Sequence, residues 1–111
     1  MIRADLLLSQ LQALANPVRL WIVAELHRNG TQYVSELARN AGISRPLLKM
    51  HLRKLEEAQL VTSEVGTAEN GKSANFFRIV PFDLPLTPDT ITGTEPVPTS
   101  LATRKDGDND A

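Results

Sequence analysis

None of the 111 residues is a cysteine, which removes disulfides, thiolate metal sites and thiol redox sensing from consideration. No apolar run approaches the roughly 18 residues of a membrane-spanning helix. The opening "MIRADLLLSQ" has neither the long apolar stretch nor the small-residue cleavage site of a secretion signal. A cytoplasmic protein that makes no membrane contact is therefore expected. Catalytic arrangements are missing as well. There is no Gly-rich phosphate loop and no nucleophile with a placed base, and neither His27 nor His51 belongs to a His/carboxylate cluster at ligand spacing. No enzyme activity, metal or cofactor is expected. No internal repeat appears, and the length suits a single domain.

Charge, by contrast, is present but unevenly placed. The formal net charge of −1 averages a body, residues 1–80, with ten Lys/Arg and seven Asp/Glu (+3), and a tail, residues 81–111, with two and six (−4). The tail also holds five of the seven prolines and closes on "DGDND". It has too few large apolar residues to offset the entropy of ordering. The expected organisation is one folded domain over 1–80 followed by a disordered, acidic, proline-rich tail over 81–111.

Within the body, "ADLLLSQLQALA" puts Leu7, Leu11 and Leu14 on one helical face with Leu8 beside them. "NPVRLWIVAELHRNG" reads as a second helix, with Asn16 as its cap, Pro17 in the first turn and Gly30 as a left-handed stop; Val18, Ile22 and Leu26 face the core. "TQYV" allows one strand rung before Ser35 caps a third helix, "ELARNA", which Gly42 ends. A fourth helix is expected from Ser44 to about Gln59, with Leu48, Leu52 and Leu55 in a narrow arc and Pro46, Lys49, Met50 and Arg53 opposite. "LVTSEV" and "SANFFRIV", around "ENGK", read as a two-stranded hairpin.

Helices three and four are separated only by "GIS". So abrupt a junction needs a small residue where the helices cross, a residue that tolerates positive φ, and an apolar plug. Ala38, Gly42 and Ile43 supply these in order. That is the helix-turn-helix pattern, whose second helix stands clear of the body and fits a major groove. Spacing alone leaves open an ordinary buried helical hairpin. Charge favours DNA, because the fourth helix carries Arg45, Lys49, Arg53 and Lys54 with no acid between Ser44 and Leu55, and Glu56 and Glu57 follow at once.

Taken in order, "LANPVRLWIVAEL", "SELARNAGIS", "LLKMHLRKLEEAQLV" and the hairpin ending "FFRIV" resemble a winged helix-turn-helix transcription regulator of the ArsR type over about residues 11–80. Arg19 matches the family's Arg before an "IL" pair, here Ile22 and Val23, and His51 matches its "HL" in the recognition helix. The resemblance implies an α+β, mostly helical fold, about four helices plus a two-stranded wing hairpin. It further implies a homodimer on operator DNA, with residues 44–59 in the major groove. Three departures stand out. The metal-sensing thiolates have no counterpart in "YVSELARN". Gln59 replaces the Gly of the family's "AGLV", at a left-handed helix stop. The proline-rich tail stands where a dimerising C-terminal helix often lies, which leaves dimerisation to the first helix, through Leu7, Leu8, Leu11 and Leu14.

The expected partner is thus double-stranded DNA, through Ser44, Arg45, Pro46, Lys49, Met50, Arg53, Lys54 and Lys72. Lys49 and Arg53 reach base edges from the outward arc, with phosphate the favoured contact for Lys49, while Ser44 and Arg45 meet phosphate at the helix start. Met50 either meets a thymine methyl or is simply exposed. Lys72 touches phosphate from the wing, and Glu64 and Glu69 weaken that contact. Trp21, off the core arc, closes the core edge or lines an interface or effector pocket; no residue pattern specifies a small-molecule effector. The rival reading is a winged-helix module that binds protein through Trp21, Met50 and the first helix.

Overall fold

The structure, a computed structural model, describes residues 3–84 and 86–94. Residues 10–82 form one compact unit, and residues 3–9 with the described part of 83–94 form another. The elements run α1 (Ala4–Leu14), α2 (Pro17–Asn29), β1 (Gln32–Tyr33), α3 (Val34–Ala41), α4 (Arg45–Glu57), β2 (Val61–Thr67), β3 (Ser73–Ile79) and α5 (Pro88–Thr92). This is the expected winged helix-turn-helix. Its sheet is antiparallel in the order β1-β3-β2, with Gln32 opposite Phe77 on one edge and Val61 opposite Ile79 on the other.

Local chemistry sets the boundaries. The Asn16 side chain accepts from the backbone N–H groups of Val18 (2.9 Å) and Arg19 (3.2 Å), and Pro17 occupies the first turn, where no N–H is needed. Gly42, at φ 72°, ψ 29°, stops α3 in the left-handed region and donates to Ala38 O, and Ser44 caps α4 through its hydroxyl (3.3 Å from Leu47 N). Ser35 does not cap α3 as expected. The helix starts at Val34, two residues before the expected Glu36, and the Glu36 carboxylate reaches back to accept from Tyr33 N at 3.2 Å, so Ser35 lies in the first turn.

The core of the larger unit gathers Ile22 and Leu26 from α2, Leu37 and Ala38 from α3, Leu48, Leu52 and Leu55 from α4, and Leu60, Val61 and Phe77 from the wing base. Val18, Trp21 and Ile43 pack partly buried against it, so Trp21 does close the core edge. Removing any of the three α4 leucines to Ala would cost about 2–5 kcal/mol, since each is fully enclosed. Their burial orients everything else on α4.

One finding departs from the composition argument. Inside the segment expected to be disordered, α5 forms a single turn, although none of its residues is buried. Thr87 holds it: its hydroxyl accepts from Thr90 N (3.1 Å), its own N–H donates to Thr90 Oγ1 (2.9 Å), and Pro88 takes the first helical position. Capping is a local effect that an estimate of apolar content does not register. The remainder of the expected tail, 95–111, lies outside the described residues.

Candidate nucleic-acid interface

With Leu48, Leu52 and Leu55 turned inward, the 3.6-residue period leaves Arg45, Pro46, Lys49, Arg53 and Lys54 exposed on α4. Met50 is 40% exposed, and beside it stands a residue that sequence reasoning missed: Leu47, 42% exposed. In "PLLKM" adjacent leucines look equivalent, and only the phase of the helix separates the buried one from the exposed one. Both termini of α4 are fixed. Ser44 starts it, and at its end Gln59 adopts φ 63°, the only positive φ at a non-glycine among the described residues. Leu60 N donates to Leu55 O and Gln59 N to Glu56 O, both at 3.0 Å, the paired closure of a Schellman motif. The left-handed stop anticipated at this position is therefore real, and a glutamine occupies it.

Behind the exposed arc lies a polar pin. Arg19, near the start of α2, donates from Nε to Ala13 O (2.7 Å) and from Nη1 towards Nδ1 of His51 (3.0 Å). His51 is buried, with a packing role rather than a solvent-facing one. As acceptor, its Nδ1 is unprotonated, which leaves the proton on Nε2. Burial and the neighbouring guanidinium both push the imidazole pKa below its usual value. The two family-matching residues thus meet in space and tie the end of α1 and the start of α2 to the inner face of α4.

The wing is anchored just as locally. Phe76 meets Tyr33 edge to face at 5.4 Å and lies over Gly66, where a β-carbon would stand 3.0 Å from its ring. Ser63 Oγ donates to the Glu56 carboxylate at 2.9 Å, which joins β2 to the end of α4. At the tip Gly71 takes φ 83°, and Lys72 N donates to Asn70 Oδ1 at 2.9 Å. Arg78 faces Glu64 at 3.9 Å with both side chains exposed, so the pair contributes little to stability and halves the wing's free positive charge.

Between wing and helix lies a polar recess of about 450 Å³, lined by Arg45 and Lys49 from α4, Lys72, Asn70 and Asn75 from the hairpin, and the start of α3. Three of the anticipated residues are thereby brought together; Arg53, Lys54 and Met50 are not among its lining. Among the leucines of α1, Leu7 is buried, Leu11 and Leu14 are half-buried, Leu14 against the core, and Leu8 is 39% exposed. An apolar groove of about 470 Å³, not anticipated from sequence, runs between Leu20, Val23 and His27 of α2 and Ile79 and Phe82. Among the described residues no helix is long and apolar enough to cross a membrane, and no group of three His, Asp or Glu is placed to hold a metal ion.

Comparison with known proteins agrees with this geometry. A family model described as a helix-turn-helix domain matches residues 14–64. An uncharacterised HTH-type transcriptional regulator of Methanocaldococcus jannaschii is 43% identical over 54 residues, 49% of this chain and 56% of that protein, so the chain spans about half the length of the curated relative. A solved ArsR family transcriptional regulator shares the fold at TM-score 0.58 and 23% identity, over 96% of this chain and 99% of that one. The transcriptional repressor BigR of Xylella fastidiosa is similar at TM-score 0.56 and 25% identity, over 98% and 91%. The helix-turn-helix and the wing hairpin agree with these matches: over residues 14–64 the chain carries a helix-turn-helix domain, and its fold is that of the winged helix-turn-helix regulators to which it is similar.

Proposed function

We propose that this protein binds double-stranded DNA sequence-specifically as a homodimer and regulates transcription, with residues 1–80 as the DNA-binding domain and α4 in the major groove. The observation that carries the reading is the exposed basic arc of α4. Arg45, Lys49, Arg53 and Lys54 share the outer side of a helix whose inner side is locked into the core, with no carboxylate until Glu56. Arg53 suits bidentate contact with guanine, and Met50 and Leu47 suit thymine methyl groups. Ser44, Pro46 and Arg45 at the helix start, Lys54 and the wing's Lys72 suit phosphate.

Dimerisation in this reading rests on α1. Leu8 and Leu11 retain accessible surface, whereas Leu7 is already enclosed and has little surface left for a partner copy. The test is salt dependence. Affinity for duplex DNA is expected to fall with log-log slope of about −4 or steeper for a dimer that neutralises a few phosphates per subunit. Arg53→Ala is expected to relax base preference while leaving non-specific binding largely intact. Failure of the intact protein to bind duplex at low salt would refute the proposal in favour of a protein-binding module.

A further inference from the structure

A helix in the major groove and a hairpin beside the adjacent minor groove straddle the one sugar–phosphate strand that divides the two grooves. Resting on the DNA-binding reading above, the recess between α4 and the wing is where that strand has to pass. We infer that Lys49 of α4 and Lys72 of the wing close on one and the same backbone phosphate there, so that helix and wing form a single clamp instead of two separate contacts.

Three observations carry this. Both lysines line the same recess of about 450 Å³, together with Arg45, and no carboxylate is among its lining residues. Both ammonium groups are exposed, so neither is committed to an internal partner that a phosphate would have to displace. The wing is also not free to swing away from the helix. The Tyr33–Phe76 contact fixes its inner strand at the start of α3, Ser63–Glu56 fixes its outer strand to α4, and the Lys72 backbone is held by Asn70. A pair of cations carried on either side of a recess by a held backbone binds one anion more firmly than either cation alone, because the two elements need not be brought together on binding. The consequence for recognition is that Lys49, although on the outward arc, is spent on the backbone. Base reading is then left to Arg53, Met50 and Leu47.

The salt slope distinguishes a shared phosphate from two separate ones. Each phosphate neutralised contributes about 0.9 to the slope. Binding of a mixed-sequence duplex is to be measured from low to moderate salt for the intact protein, Lys49→Ala, Lys72→Ala and the double variant, with far-UV circular dichroism as the folding control. For a shared phosphate, each single variant changes the slope by well under half of that value per subunit, since the remaining lysine still neutralises the phosphate, and the double variant loses no more than about 0.9. Two separate phosphates give about 0.9 for each single variant and about 1.8 for the double, which overturns the clamp while leaving the DNA-binding reading intact. A double variant indistinguishable from Lys49→Ala removes the wing from the site and overturns it equally. Replacing chloride by inorganic phosphate at equal ionic strength should leave duplex affinity unchanged. A several-fold loss confined to proteins that keep both lysines would assign the recess to a free anion instead.

Discussion

Replacing Gln59 with glycine should stabilise the protein, and the magnitude follows from the backbone at that position. Gln59 sits at φ 63° because the Schellman closure requires it: only a left-handed residue lets Leu60 N turn back to Leu55 O while Gln59 N reaches Glu56 O. For a residue with a β-carbon that conformation costs about 1–2 kcal/mol, which glycine does not incur. Glycine also loosens the unfolded chain, which takes back about 0.4–1 kcal/mol. The net expectation is a gain of about 0.5–1 kcal/mol, or a melting temperature higher by about 2–8 °C for a domain of this size. Thermal and urea melts followed by circular dichroism read this directly, with unchanged urea m-values as the sign that only stability has moved. Gln59→Ala is the control. It keeps the β-carbon and should leave the melting temperature almost where it was, since the side chain is exposed. A glycine variant no more stable than the alanine variant would show that the left-handed stop is not strained, and the reasoning would fail.

Three further expectations follow from the same structure. His51 has a folded-state pKa below its unfolded value, so the unfolded chain takes up the proton first; stability should be complete above about pH 6.5 and decline as pH falls towards the depressed folded pKa. His51→Gln keeps an acceptor for Arg19 and should flatten that decline, and a wild-type melting temperature constant from pH 7 to 5 would contradict the assignment. Gly66→Ala brings a β-carbon to 3.0 Å from the Phe76 ring, which Tyr33 backs from its edge; a loss of about 1–3 kcal/mol is expected in a urea melt, and no loss would mean the ring moves aside freely. Leu8→Glu combined with Leu11→Glu should give a folded monomer with poor duplex affinity. Analytical ultracentrifugation that finds the unaltered protein monomeric at high concentration would remove α1 as a dimer surface.

The helix-turn-helix and its basic face were legible because each depends on chemistry a few residues apart: Asn16 and Pro17, Gly42 and Ser44, the leucines at 48, 52 and 55. The stop at Gln59 was legible only through family resemblance, since nothing about glutamine itself announces a left-handed turn. What the sequence did not disclose are meetings between distant residues. Arg19 and His51 lie 32 positions apart, and their contact depends on how α2 crosses α4. The recess depends on the hairpin being held beside α3 and α4 by Tyr33–Phe76 and Ser63–Glu56, and the exposure of Leu47 rather than Leu48 depends on a helical phase that "PLLKM" leaves ambiguous. Ser35 was misassigned because a reversed contact from Glu36 does the capping work without a hydroxyl.

The basic arc of α4 is bounded, and its length limits how much information one copy extracts from DNA. From Arg45 to Lys54 the helix axis advances by only about 13 Å, and at 3.4 Å per base pair that is about four steps. Four positions read in full recur by chance about once in 250 base pairs, far too often to single out an operator among the roughly 10⁶ or more sites of a genome. Two copies that read about eight positions at a fixed separation cut chance matches to about one in 65,000, which leaves about fifteen among 10⁶ sites. On the proposed reading, Glu56 and Glu57, by ending the arc where they do, would make each copy a reader of one short word, with specificity gained by counting words in pairs.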